Sequence, residues 1–178
     1  VPRHLRTMVE LAKKTEEEVD IAVVNGPDPI VLLAGAMSFN DPLDEFSVAA
    51  ALHERLYGSK FEVIELPNGV IAPADAEYVM EARITNMTDE EGPYVDITGT
   101  VDDVRHEPVI EYDSIHHRDS PIFHALIPAG VEHMTLMGMP RAPTIQTAVS
   151  KVVECTDVYL TEGGSGWLSS VVQIVPKM

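Results

Sequence analysis

The chain has a single cysteine, Cys155, so no disulfide can close within it. That fits a reducing compartment, and the cytoplasm is the expected one. Cys155 follows Val152-Val153-Glu154, and it reads as core packing rather than as a nucleophile. Cationic side chains are also scarce: 12 Lys+Arg stand against 29 Asp+Glu, for a formal net charge of −17. Nucleic acid and anionic membrane surfaces both demand a basic face, so neither is an expected partner. No apolar run approaches the roughly 20 residues that cross a bilayer. Neither an internal repeat nor a low-complexity linker is visible. Gly163-Gly164-Ser165-Gly166 lacks the lysine and the helix start of a phosphate loop, so it reads as a turn. Aromatic residues are only 6% of the chain, but 45% hydrophobic residues in 178 suffice for the core of one ordinary domain, expected over residues 1–178.

What is present changes character along the chain. Residues 3–18 read as an amphipathic helix, with Leu5, Met8, Val9 and Ala12 on one face. Val19–Val24 reads as a buried strand ended by Asn25-Gly26-Pro27. Asp28 and Pro29 suit the cap and first turn of a helix over Ile30–Met37. Asp44 to Tyr57 reads as a second helix closed by Gly58. Beyond Gly58 the apolar period falls to two. Strands are expected at Phe61–Leu66, Val70–Ala72, Glu77–Thr85, Tyr94–Val101 and Pro108–His116, then at Val158–Leu160 and Trp167–Val175. Short helices are expected at 130–139 and 143–153. Hairpin-length gaps between successive strands predict an α+β fold, a mainly antiparallel sheet or barrel flanked by helices.

Glu91-Gly92-Pro93-Tyr94-Val95-Asp96 carries the clearest chemical signal, two carboxylates five residues apart in a Gly-Pro turn between strands. Like charges held close push their pKa values apart, so such a pair can work as an acid/base device. The same six residues also suit two solvated turn acids in an acidic protein. His4, beside Arg3 near a helix start, reads on its own as a surface residue. Glu45 suits a helix's first turn, where the dipole favours a carboxylate, and this is compatible with facing a cation. His116 and His117 are adjacent on a strand, face opposite ways and should not converge on one metal. Met134, Met137 and Met139 read as helix packing. Arg141 could point at a carboxylate, and a structural salt bridge is the expected role.

Seven segments occur in order: Pro2-Arg3-His4-Leu5, Ala36-Met37, Leu43-Asp44-Glu45-Phe46, Pro73-Ala74-Asp75-Ala76-Glu77, the Glu91 turn, His117-Arg118-Asp119-Ser120-Pro121-Ile122-Phe123-His124, and Met137-Gly138-Met139-Pro140-Arg141-Ala142-Pro143. In this order and spacing the chain resembles the UbiD family of decarboxylases, from residue 1 to about residue 175. The resemblance is to the middle of a family member, and with Val1 in place of an initiator methionine it leads to the expectation of a segment of a longer protein. It implies a split β-barrel related to flavin-binding barrels. It implies prenylated FMN as cofactor, with a divalent metal, usually manganese, and potassium beside it. By the same resemblance Arg3, His4 and Glu45 bind the cofactor, and His4 and Glu45 ligate the metal with an upstream Asn. Asp96 is the implied proton donor, with Asp where part of the family has Glu, and Glu91 its partner, holding an upstream Arg. The implied reaction is non-oxidative, reversible decarboxylation of an α,β-unsaturated or aromatic carboxylic acid. A flavin prenyltransferase would supply the cofactor, and regions outside this chain would build a homo-oligomer. Two other classes stay open on the residues alone: a non-catalytic binding or assembly module that keeps the barrel, and a plain FMN-binding reductase domain.

Overall fold

The computed structural model describes residues 4–37 and 43–176. They form two compact units. One comprises the described residues up to Asp28 with Phe61–Tyr94 and Asp102–His124, and the other comprises the described residues between Pro29 and Lys60 with Val95–Val101 and those from Ala125 onward.

The first unit is built on a three-stranded antiparallel sheet. Helix α1 (His4–Thr15) leads into β1 (Val19–Asn25), which pairs with β4 (Tyr78–Glu91), and β4 pairs in turn with β5 (Arg105–His117). The short strands β2 (Val63–Glu65) and β3 (Ile71–Pro73) form a separate hairpin. Leu66, Ala72, Ala76 and Val79 make the core, with Ala22 and Val24 packed against them. Helix α1 stops three residues short of the expected end because Glu16 takes a left-handed φ of 57°. Strand β4, expected to end at Thr85, runs on to Glu91. β1 is already finished at Ile84, so the extension is a two-stranded arm carried by β5 alone. Its tip sets Glu90 opposite His106 and Glu91 opposite Arg105, and the opposite charges of Glu91 and Arg105 favour the pairing. Pro108 is tolerated in β5 because β5 is an edge strand and Pro108 lies next to a bulge, between Ile84 and Thr88 of its partner.

The segment Arg118–His124 is tied down by residues distant in sequence. The Asn25 amide donates to the His124 carbonyl (2.8 Å) and accepts the His124 N–H (2.9 Å). Glu77 accepts the Ile122 N–H at 3.0 Å. Gly26 has φ +63°, and a Cβ there would stand 2.7 Å from the Glu77 Cγ, so the close crossing requires glycine.

The second unit holds α2 (Pro29–Ala36), α3 (Glu45–Tyr57), α4 (Val131–Gly138), a 3₁₀ turn (Met139–Arg141), α5 (Ala142–Ser150) and the antiparallel pair β6 (Cys155–Leu160) and β7 (Ser170–Ile174). Ile30, Ala34, Ala49, Ile97, Cys155 and Val158 are its buried apolar residues. Helix α3 has the ends its sequence prescribes. The Asp44 carboxylate accepts the N–H groups of Phe46 and Ser47, and Gly58 closes the helix at φ +68°. Val95 and Val101 form only an isolated bridge, so the expected strand Tyr94–Val101 is instead a tight loop. The cause is local: Asp96 opens a turn whose fourth residue, Gly99, has φ +78°. The described strands make three separate antiparallel sheets, and no closed barrel forms among the described residues.

Candidate active site

Glu91 is the last residue of β4, exposed, in the first unit. Arg105, opposite it, is engaged by Asp102, which leaves the Glu91 carboxylate without a hydrogen-bonding partner among the described residues. Asp96 lies in the second unit and is fixed by its own backbone. Its N–H donates to the Thr100 carbonyl (2.8 Å), and its carbonyl accepts the Gly99 N–H (2.9 Å). The Thr98 hydroxyl donates to Asp96 Oδ2 at 3.3 Å and pairs with the Thr100 hydroxyl at 2.7 Å. Ile97, between them, is 3% exposed and pins the turn to the unit's core. The Asp96 carboxylate therefore stands on a rigid turn with Oδ1 uncommitted among the described residues. Such a group can take up and deliver a proton.

His4 is the first residue of α1 and is exposed; Leu5 and Val9 of that helix, with Ile84 and Pro108, line a groove of about 450 Å³ in the first unit. Glu45, exposed at the first position of α3, belongs to the second unit. Arg3 lies outside the described residues. No group of three or more His, Cys, Asp or Glu is placed to hold a metal among the described residues. His116 and His117 have separate partners. His116 Nε2 meets the Ser114 hydroxyl at 3.0 Å, and His117 Nδ1 meets the Arg118 carbonyl at 2.7 Å.

Three arrangements escaped the sequence reading. Glu81, only 8% exposed, accepts the Asn68 N–H (2.7 Å) and the Ser114 hydroxyl (2.8 Å), and Ser114 goes on to His116. No local signal marks it: in Met80-Glu81-Ala82-Arg83-Ile84-Thr85 the glutamate falls on the polar set with Arg83 and Thr85, and the register shift between Glu81 and Ala82 breaks the alternation. Arg83 gathers Glu18, Glu111 and Asp113, so one guanidinium offsets three of the chain's many acids. Hydrogen bonding and charge from Asp113, then from Glu111, raise the Arg83 pKa above its ordinary value. Arg141 corrects an expectation: it makes no salt bridge among the described residues. Its guanidinium lies 4.4 Å over the Trp167 ring, and its Nε donates to the Met137 carbonyl (3.2 Å).

Residues 1–131 match the domain described as UbiD: 3-octaprenyl-4-hydroxybenzoate carboxy-lyase Rift-related domain. Among curated proteins, the anhydromevalonate phosphate decarboxylase of Methanocaldococcus jannaschii is 46% identical over 173 residues, which is 97% of this chain and 40% of that protein. Among solved structures, the UbiD-class enzyme HmfF from Pelotomaculum thermopropionicum in complex with FMN superposes with a TM-score of 0.93 at 31% identity, over 100% of this chain and 40% of that one. An evolved dimeric form of the same enzyme in complex with prFMN gives a TM-score of 0.92 at 31% identity, over 100% of this chain and 42% of its own. The chain thus spans about two-fifths of the length of these relatives. A match over residues 1–131 of 178 covers most of the chain, and the chain belongs to the UbiD family.

Proposed function

We propose that this chain is the cofactor-binding middle portion of a carboxy-lyase that releases CO₂ from a phosphorylated, α,β-unsaturated carboxylic acid. The observation that carries the reading is the 46% identity, over 97% of the chain, to an enzyme named anhydromevalonate phosphate decarboxylase. That name denotes a dehydrated hydroxy acid bearing a phosphate. It favours the unsaturated class over the aromatic one, both of which the sequence left open. The three antiparallel sheets are compatible with parts of a split barrel.

Loss of CO₂ leaves an electron pair on carbon, and protein side chains are poor acceptors for it. Prenylated FMN, when bound, supplies that electron sink. The protein's own task is to orient the acid, exclude water and return a proton. Asp96 is the group assigned to the proton. Thr98 orients its Oδ2, and Oδ1 is left to carry the hydrogen. Glu91, without a protein partner among the described residues, is assigned to hold a basic group. His4 and Glu45 are assigned to a divalent cation, manganese by resemblance, that would offset the cofactor phosphate with Arg3; potassium belongs to the same assignment. The donor types fit such a cation, one imidazole nitrogen and one carboxylate oxygen, both on exposed helix starts. Two donors do not complete a coordination sphere, so the remainder must come from water, cofactor or further protein.

The test is Asp96→Asn in the full-length, cofactor-loaded enzyme. Asn keeps the shape of the turn and cannot donate an acidic proton. Turnover of the phosphorylated acid should fall at least about 10²-fold, with flavin retention unchanged. Normal turnover by the variant would remove Asp96 from the mechanism. A wild-type enzyme that binds flavin but releases no CO₂ from any unsaturated acid would instead favour a binding module.

A further inference from the structure

With a net charge of −17, this chain must spend a cation wherever a doubly acidic substrate presents its oxygens. The described arginines are mostly committed. Arg6, Arg83, Arg105 and Arg118 each reach a carboxylate: Glu10, the Glu18/Glu111/Asp113 group, Asp102 and Glu77 respectively. Arg55 is exposed in the last turn of α3, where it complements the helix dipole. Arg141 is different. It reaches no carboxylate among the described residues, yet it is held in place from two sides. Its plane lies on Trp167, and its Nε is taken by the Met137 carbonyl, so its two terminal nitrogens keep their donors for something else.

The platform under it is rigid. Gly166 N–H donates to the Thr161 carbonyl (3.0 Å), and Trp167 N–H donates to the Gly164 carbonyl (3.0 Å). Gly138, at the end of α4, approaches this loop so closely that a Cβ would stand 1.9 Å from the Gly166 carbonyl oxygen. The Trp167 indole N–H is itself buried and has no acceptor among the described residues. A planar fork fixed on an aromatic ring, beside an unsatisfied donor, is the arrangement that recognises carboxylate or phosphate in bidentate fashion. Fixing the fork in advance spares the side-chain entropy that a free surface arginine would lose on binding.

We propose that Arg141, held on Trp167, binds an oxyanion of the substrate. The carboxylate and the phosphate of the acid offer the same chemistry, and the experiment separates them. This inference rests on the proposed substrate class, but binding can be read without turnover.

Trp167 is the chain's single tryptophan, and a guanidinium on its face makes its emission a reporter. The full-length protein, with a W167F control to isolate this signal, is titrated with inorganic phosphate, with acetate and with the phosphorylated unsaturated acid. A saturable change with phosphate but not acetate assigns Arg141 to the phosphate, and the reverse assigns it to the carboxylate. Arg141→Met should weaken the responding ligand about 10- to 100-fold, the range for one lost charge-assisted hydrogen-bonding group. Arg141→Lys, which keeps the charge but loses the fork, should recover only part of it. In turnover, KM for the phosphorylated acid should rise by a similar factor. No response of Trp167 to any of the three, or an Arg141→Met protein that binds and turns over as the wild type does, overturns the proposal. Anion binding at Arg141 without decarboxylation would leave this site standing and remove the proposed reaction. Decarboxylation with an unchanged KM in Arg141→Met would do the opposite.

Discussion

Replacing Asp44 by alanine should lower the melting temperature by about 2–4 °C at neutral pH, and the deficit should shrink in acid. Asp44 has an extended backbone (φ −81°, ψ 120°) and caps α3. Its carboxylate accepts the Phe46 N–H (3.3 Å), the Ser47 N–H (3.1 Å) and the Ser47 hydroxyl (2.7 Å). Losing such a cap costs about 1 kcal/mol. For a chain of this size 1 kcal/mol shifts the melting temperature by about 2–4 °C. The Ser47 hydroxyl above all, followed by the two backbone N–H groups, holds the Asp44 pKa below its ordinary value of 3.8 against a partial desolvation. A carboxylate with a depressed folded pKa contributes stability that is present above its unfolded pKa. That contribution is lost as the pH falls through the lower, folded value. The two proteins should therefore differ fully at pH 7 and progressively less below about pH 4. Asp44→Asn separates the two causes, because its amide oxygen still caps but does not titrate. It should melt near the wild type at pH 7 and lack this part of the acid dependence. Melting followed by circular dichroism at pH 7 and at several acidic pH values checks all three proteins. An alanine variant within 1 °C of the wild type at pH 7, or a deficit that persists unchanged through pH 3, would refute the reasoning.

Glu81→Ala strands the Asn68 N–H and the Ser114 hydroxyl in a buried site, so unfolding free energy measured in urea should drop by about 1–3 kcal/mol, while Glu81→Gln loses less because an amide oxygen still accepts. Gly138→Ala sets two effects against each other. Helix propensity alone promises a gain of up to about 1 kcal/mol, but the 1.9 Å approach to Gly166 forces the loop away at a cost of about 1–3 kcal/mol, so the variant should melt lower and shift the Trp167 emission. Glu45→Ala in the full-length enzyme should abolish manganese-dependent flavin retention without lowering the melting temperature by more than about 2 °C, because Asp44 still caps the helix; unchanged retention counts against the cation assignment.

Within the candidate site, legibility followed chemical distance. Asp96 was legible as an acid beside the Gly92-Pro93 turn, but not as the first residue of a turn of its own: residues 94–101 were expected to be a strand, although aspartate at the first position and glycine at the fourth are short-range turn signals. Glu91 was readable as an acid near a turn, but not as the tip of a two-stranded arm. The acidic run Asp89-Glu90-Glu91 looks like a loop until His106 and Arg105 are placed opposite it. The salt bridge expected of Arg141 failed because Trp167, 26 positions away, takes the guanidinium face.

The sequence by itself determined whatever depends on neighbours within a few residues. It decided both ends of α3 through Asp44 and Gly58, the change from helical to alternating period after Gly58, and the cation poverty that leaves few candidates for an anion site. It also carried the ordered segments by which the family could be recognised. The tertiary structure decided what depends on partners far apart in the chain. It extended β4 to Glu91, buried Glu81 between Asn68 and Ser114, gathered three acids around Arg83 and laid Arg141 on Trp167. Caps and turns are satisfied by backbone groups whose positions the local sequence already specifies. A buried carboxylate or a free guanidinium owes its state to strand register and loop packing, which no local pattern encodes.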